Sequence, residues 1–577
     1  NIEKVKSEHY QDLNQILLDD FEKLNIKYEE ATWDEKNNKQ GKSKKRSLTI
    51  EDITEIKPFH WGYEFDQIIN LKGGFDIIIT NPPWDIFKPN SKEFLNEFSD
   101  KISKKKMTIK EFETEFDILM ENKNIKKLWL DYLSRFPYLN LFYRNSPQYK
   151  DQISIVNGKK QGTDINLFKL FTEQCFNLLK KGGHCGIVLP SGIYTDIGTK
   201  QLRELLFSNS KITGLFSFEN RKEIFDNVHR SFKFVVLTFE KGNKTITFPA
   251  SFMRHEVKDL QKFPEEGSFK ISLELIKKIS PDSLSVMEFK NDLDIDITKK
   301  MLVFPLLGEE IKDSWSLNLG REFHMTDDSY LFHQESTKER LVLYEGKMIH
   351  QFNHLFSEPR YWIDEKEGRK ALLKKEKDIE QKLDYQCYRL VFRDVTATTN
   401  ERTLISTLIP KNVFTGNTLF GNECSGINNK ELLYLVSLLN SFVIDYLSRM
   451  RVTNHMSLFY MYQLPIPRLT EKDDIFNKIV NKSAKLICTT PEFNDLAKEV
   501  FNKGLQPLVQ TGVCVGVTNE IERMKIRAEL DSIIAHLYGL SEEEFVYILN
   551  TFPIIPEPIK VLTHNSYRDY SRGLITL

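Results

Sequence analysis

Asn81, Pro82, Pro83 and Trp84 stand together after the run Phe75-Asp76-Ile77-Ile78-Ile79-Thr80, and of all the residues in this sequence their types and spacing best suit chemistry. The Asn81 side-chain carbonyl is a neutral hydrogen-bond acceptor. The Pro82 backbone carbonyl is a second, with no N–H beside it. Proline rings fix φ, so both acceptors are held in place, and Trp84 adds a flat apolar face next to them. This set suits an exocyclic amine on a planar heterocycle. Such an amine is a poor nucleophile, because its lone pair is delocalised into the ring. Two acceptors gripping its two hydrogens favour a tetrahedral nitrogen that can attack an electrophilic methyl, and they stabilise the positive charge that develops. The Trp84 face would stack on the base, worth about 1–3 kcal/mol by analogy with single-strand binders. The competing reading is a plain strand-terminating turn, since Asn-Pro starts turns anywhere. The strand before it and the aromatic after it favour the chemical reading.

Positioning such a loop requires a sheet. The β-branched run at 77–79, led in by Gly73-Gly74 and stopped by Asn-Pro-Pro, predicts a short buried strand entering a rigid turn. In an open α/β sheet, ligands sit at the carboxyl ends of such strands. The pattern resumes at Thr163, which can cap a helix with the apolar stripe Phe168, Phe171, Cys175, Leu178 and Leu179, ended by Gly182-Gly183. A strand over 184–189, a helix around 199–208, and strands over 211–218 and 232–240 complete half of a doubly wound sheet. Residues 91–150, Lys- and aromatic-rich and helical in pattern, are expected to be an insertion.

Asn-Pro-Pro-aromatic after a hydrophobic strand resembles the target-amine motif of amino-methyltransferases, most often those acting on adenine N6 in DNA. Trp84 departs from the commoner Tyr or Phe at the fourth place. Residues 300–470 extend the resemblance: the Phe-Arg-Asp-Val-Thr…Asn-Glu-Arg-Thr stretch (392–403), Leu-Asn-Ser-Phe (439–442) and Gln-Leu-Pro-Ile-Pro (463–467) look like the target-recognition region of type IIG restriction–modification enzymes. The resemblance covers most of 55–550. It implies an α/β fold in which a partial doubly wound (Rossmann-like) methyltransferase sheet is followed by an α+β target-recognition domain and a helical C-terminal region. The expected divisions are a helical lead-in and basic linker (1–57), the base-binding half (58–250, with the insertion 91–150), the recognition domain (251–470) and the helical region (471–577).

The implied function is site-specific adenine-N6 DNA methylation in a restriction–modification or phage-defence system, with S-adenosylmethionine as cofactor and double-stranded DNA as partner. Asn81 to Trp84 would be the catalytic motif. In the family an aromatic between the last two strands helps hold the extruded base, and Phe225 matches it by order, with a core phenylalanine as the competing reading. Two aromatic faces would offset the few kcal/mol of unstacking a paired base. Arg and Asn on polar hairpin tips suit groove readout, so the candidates for DNA contact are Lys347, Arg393, Thr396, Thr399, Asn400 and Arg402. For each singly, a surface ion pair or a turn cap competes. The alternative is a non-catalytic DNA-recognition module partnering a nuclease or other subunit. A third reading places the amine on RNA or a protein glutamine, against which the large recognition region argues.

Across 577 residues the net charge is −1, so bulk charge predicts no polyanionic partner and DNA binding must rest on local patches. A length of 577 residues suggests about three or four domains. The six cysteines have neither metal nor disulfide-scaffold spacing and suit a reducing cytoplasm. No metal site, no membrane span and no signal peptide are expected. The basic stretch 34–48 reads as a solvated linker, and 365–383, 388–395, 402–409 and 431–449 as helix, strand, strand and helix. His60 reads as a packed residue. A glycine-rich cofactor loop should precede Asn81, yet only Gly41, Gly62, Gly73 and Gly74 do so. The chain is therefore expected to be the carboxyl-terminal portion of a longer polypeptide, lacking cofactor affinity and activity alone.

Overall fold

The computed structural model describes all residues except 1, 105–106, 157, 161, 163, 227, 398–399, 453–454, 502–515 and 576–577. Contacts divide the chain into two compact units, Asn1–Lys290 and Asn291–Leu577. The division falls 40 residues beyond the expected end of the first domain at 250, because the strands after that point still pair into its sheet.

That sheet has six strands: β1 (Phe75–Thr80), β2 (Leu179–Pro190), β3 (Ser210–Glu219), β4 (Lys233–Lys241), β5 (Thr247–Arg254) and β6 (Phe269–Ser272), in the order β6-β5-β3-β4-β2-β1. β1 runs parallel to β2 and β3 parallel to β5; β4 lies antiparallel between β2 and β3. The sheet is thus mixed. Helices α1 (Ile2–Lys23), α2 (Lys123–Asn145), α3 (Leu167–Leu178) and α4 (Lys200–Asn209) surround it in sequence, α3 leading into β2 and α4 into β3. β3 and β4 are buried on both faces, for the consecutive residues Leu215, Phe216, Ser217 and Phe218 are all buried, as are Phe234 and Val235.

Several expectations for this unit need correction. β1 is not a buried strand but the sheet's edge, and Ile77 and Ile79 are 61% and 83% exposed. A β-branched run reports a pleated backbone, not what covers it. Gly182-Gly183 does not end a helix; α3 stops at Leu178 and both glycines lie within β2. Phe171 of the predicted stripe is 42% exposed. Thr163, the predicted cap, lies outside the described residues. The stretch 34–48 is an ordered ribbon: Trp33–Asp34 pairs with Lys39–Gln40 and Tyr28–Glu30 with Lys44–Arg46. Arg46 closes it with a bidentate pair to Asp52 at 2.6 and 2.7 Å. The helices of 91–150 are present and do not stand apart, for Phe21 of α1 stacks on Phe142 of α2 at 4.3 Å.

The second unit holds a four-stranded and a three-stranded sheet. The first is β7 (Leu319–Gly320), β13 (Leu419–Asn422), β10 (Arg389–Arg393) and β11 (Ser406–Ile409); the second is β9 (Tyr361–Asp364), β8 (Arg340–Tyr344) and β12 (Phe414–Thr415). β10 and β11 are the predicted strand pair, with Arg389 opposite Ile409. Helix α5 (Glu365–Leu373) stops where Lys374 turns to φ +53°, ten residues short of the expected end. The predicted single helix 431–449 is two, α6 (Asn429–Leu439) and α7 (Phe442–Arg449), bent by 60°. The Asn440 amide bonds both backbone groups of Ser406, at 3.1 and 2.9 Å, and Ser441 caps α7 through Ile444 N at 3.2 Å. Their apolar side chains hide the break, since both helices are buried on nearly every side. Helices α8 (Asp474–Ile487), α9 (Glu520–Leu537), α10 (Glu542–Asn550) and α11 (Glu557–Ser571) make the expected helical region. Among the described residues no single helix is long and apolar enough to cross a membrane.

Candidate functional site

The carboxyl ends of β1, β2 and β3 and the amino end of β4 share one edge of the sheet: Thr80 lies opposite Ile187, Pro190 opposite Phe234, and Glu219 opposite Lys233. β1 can approach β2 this closely because residue 74 is glycine. A Cβ there would meet the Leu178 carbonyl oxygen and the Lys180 nitrogen at 2.5 Å, and φ is +128°.

Asn81 emerges from β1 exposed, and its side chain forms no hydrogen bond to a described residue. Pro82 is buried and Pro83 exposed. The chain then turns inward, and Trp84 is half-buried, its Nε1 donating to the Val188 carbonyl at 3.4 Å. The indole stacks on Phe232 (centroids 5.6 Å apart, planes at 11°) and on Phe234 (6.0 Å, 28°). Phe225 does come to Trp84, but edge-on, at 5.2 Å and 73°. Phe225 forms a wall beside the indole, and Phe232 and Phe234, two residues apart on one side of the chain, form its floor.

Sequence reasoning missed Phe232, whose only local signal is its place one residue before a strand. It also missed a buried polar chain behind the site. The Tyr194 hydroxyl bonds Ser217 Oγ and Glu288 Oε1, each at 2.8 Å, and Glu288 Oε2 accepts from Lys233 Nζ at 2.6 Å. Burial and the Glu288 carboxylate push the Tyr194 phenol well above its ordinary range. On the rim, Arg230 pairs with Glu223 at 3.0 Å and holds its carboxyl below the usual range.

The DNA-contact candidates separate by burial. Lys347 and Asn400 are exposed; Lys347 Nζ lies 3.6 Å from Glu345, which Arg360 also pairs at 2.9 Å. Arg393 is half-buried, donates to the Ile349 carbonyl and lies 5.8 Å from the Phe356 ring. Thr396 and Arg402 do not face solvent. Thr396 Oγ1 donates to the Thr403 carbonyl at 2.5 Å. Arg402, 5% exposed, pairs with Asp445 at 2.8 Å and bonds the Asn440 carbonyl. Both are interior residues: Thr396 ties the connection between β10 and β11 to itself, and Arg402 fastens it to Asp445 of α7. Thr399 lies outside the described residues. Among the described residues no group of three or more His, Cys, Asp or Glu could hold a metal ion. His60 bonds Asn14 at 2.9 Å, as a packed residue.

Residues 9–124 and 137–225 match the Eco57I restriction-modification methylase family. Over that stretch the sequence is similar to restriction-modification methylases. A Methanocaldococcus jannaschii protein named as a type II restriction enzyme and methyltransferase is 22% identical over 306 residues, 51% of this chain. The match spans 18% of that relative's length. Among solved structures, the type IIL restriction-modification enzyme MmeI in complex with DNA aligns at TM-score 0.38 and 11% identity, over 87% of this chain and 78% of that one. A nuclease-deletion form of the type ISP enzyme LlaGI with a DNA substrate mimic aligns at 0.36 and 10%, over 74% and 42%. The methylase match ends at Phe225, so it includes the Asn81 loop and the wall of its aromatic cluster.

Proposed function

We propose that this chain binds the acceptor base in an adenine-N6 DNA methyltransferase of a restriction–modification system, and that its second unit contributes to DNA recognition. The observation that carries the reading is Asn81: a free, exposed amide at the carboxyl end of a strand, three residues from a supported indole face, inside the methylase-matching stretch. In this reading the Asn81 side-chain carbonyl and the Pro82 carbonyl accept the two amine hydrogens of a flipped adenine. The base lies on the face of Trp84 away from Phe232 and Phe234. As the nitrogen attacks and turns cationic, the two acceptors stabilise the charge without having to reorganise.

S-adenosylmethionine would supply the electrophilic methyl. Gly73 and Gly74, the glycines nearest Asn81, do not form a cradle for it: both belong to the tight turn into β1, and backbone already fills the space beside Gly74. The roles of this chain are accordingly confined to the base. β1 leaves an open edge with Ile77 and Ile79 exposed, which suits pairing with a further strand, and we assign the cofactor-binding half to polypeptide packed along that edge. The same lack of a glycine cradle favours the second reading, a DNA-recognition module without catalysis.

The test is methyl transfer from radiolabelled S-adenosylmethionine into unmethylated phage DNA by the full-length protein, cofactor-binding half included, followed by nucleoside analysis. N6-methyladenine that disappears in Asn81→Ala, with DNA affinity retained, supports the base-holding role. Transfer unaffected by Asn81→Ala overturns it, and binding with no transfer at all favours the recognition module.

A further inference from the structure

Asn220 lies at the end of β3, and its side chain is wholly buried at 0% exposure. Buried amides are kept for the bonds they make. The Asn220 Nδ2 group donates to the Phe225 carbonyl at 3.0 Å and to the Val228 carbonyl at 2.9 Å, and its Oδ1 accepts from the Phe225 backbone nitrogen at 3.0 Å. Its own backbone nitrogen donates to the Phe232 carbonyl at 2.9 Å. One residue therefore fastens both ends of the β3–β4 loop. Three of the four bonds an asparagine amide can make go to that loop's backbone.

Those same ends carry the rings that meet Trp84. Phe225 stands edge-on to the indole and Phe232 lies under it. Among the described residues the Arg230–Glu223 pair also spans the loop, but on the surface, with both side chains more than half exposed. Such a pair contributes little. Only a group with two donors and an acceptor in one plane can bind Phe225 N, Phe225 O and Val228 O together. Aspartate has the shape and the acceptor but lacks the donors.

We infer that Asn220 is a positioning residue for the base site: it sets Phe225 and Phe232 against Trp84 and so fixes the indole on which the acceptor base is held. This rests on the base-holding reading of Asn81 and Trp84, and acts through Phe225 rather than by touching the base.

The experiment compares Asn220→Asp, Phe225→Ala, their double variant and Asn81→Ala in the intact protein, with unmethylated phage DNA as probe. It measures kcat and KM for methyl transfer, DNA affinity, and amide hydrogen exchange over 220–232. Asn220→Asp should lower kcat by about tenfold or more while DNA affinity stays within about threefold, and should speed exchange at Phe225 and Val228 but not in β2. The double variant should be no slower than Phe225→Ala, because residues acting through one another do not add. Asn220→Ala, whose space water can fill, replaces the aspartate variant if the latter does not fold. Unchanged kcat in both Asn220 variants, or a double variant slower by the product of the single effects, overturns the positioning role while the base-holding reading stands. Full transfer by Asn81→Ala overturns that reading and the positioning role with it.

Discussion

Trp84 lies almost flat on Phe232, with ring centroids 5.6 Å apart and planes 11° from parallel. Phe234 continues the same floor at 6.0 Å, while Phe225 meets the indole edge-on. Three phenylalanine rings thus pack against the indole. The floor residues differ in burial, Phe234 at 2% exposed and Phe232 at 38%. Phe234→Ala should therefore destabilise the first unit by about 3–5 kcal/mol. Phe232→Ala loses mainly the ring pair, about 0.5–1.5 kcal/mol beyond its area. Thermal denaturation of the two variants checks the difference; equal losses would mean that Phe232 is core and not a floor for the indole.

Asn81 is expected to separate stability from activity. It is exposed and bonds no described residue, so Asn81→Ala should change stability by less than about 0.5 kcal/mol. Methyl transfer should fall about 100-fold or more, as when one preorganised partner of a developing charge is lost. A melting curve and a methylation time course on the same preparation test both halves.

The parts of this fold legible in the sequence were those with a local period. β2 to β4 and the helices between them follow from apolar spacing, and Asn81 to Trp84 follow from residue chemistry alone. What escaped depends on distant partners. The edge position of β1 is set by which strands flank it, not by its isoleucines. Arg402 reads as a groove-contacting cation until Asp445, 43 residues on, is seen to bury it. The break at Asn440-Ser441 is invisible because both helices around it are apolar on all sides, and the bonds that fix it come from Ser406. Phe232 gains a role only once β4 carries it beneath Trp84.

Gly74 tests the join between β1 and β2. Gly74→Ala would place a Cβ 2.5 Å from backbone atoms of Leu178 and Lys180, at a φ of +128° that side chains rarely adopt. Neither clash is with a flexible side chain, so the backbone must move. A loss of about 3 kcal/mol or more is expected, with faster amide exchange along β1. Gly73→Ala, with φ +78° and open space around it, should lose no more than about 1–2 kcal/mol. Similar melting points for the two variants would show that the approach of β1 to β2 is not fixed at Gly74.

In the second unit, Arg402 and Lys347 should part in the opposite ways. Arg402→Met leaves Asp445 buried and unpaired and should destabilise the unit by about 3–5 kcal/mol. Lys347 is exposed, so Lys347→Gln should leave stability unchanged. If it meets a phosphate, the slope of log affinity against log salt should shrink by about 0.9 in DNA titrations. A slope identical to the parent's removes Lys347 from the DNA-contacting set.

Glu173 on α3 gives the first unit a pH dependence. It is 2% exposed and accepts from Gln152 Nε2 at 2.6 Å and from the Asp151 nitrogen at 3.2 Å. Burial nevertheless outweighs these bonds and pushes its carboxyl up to about 7 from 4.5. Between those values the folded chain holds a proton that the unfolded chain has released, so stability must fall as pH rises. The contribution is whole below pH 4.5 and gone above about pH 7, and the shift corresponds to about 3 kcal/mol. Asp151 beside it is also pushed up by burial and adds to the same slope. Lys169, pushed down to about 8 from 10.5, acts in a separate window, where stability rises with pH between those two values. Glu173→Gln cannot ionise but keeps an acceptor for Gln152. It should flatten the decline of urea-unfolding stability between pH 5 and 7, with the slope from Asp151 remaining, and should be more stable than the parent at pH 7.5. A variant that follows the parent's curve across that range would mean that Glu173 is ionised in the folded chain.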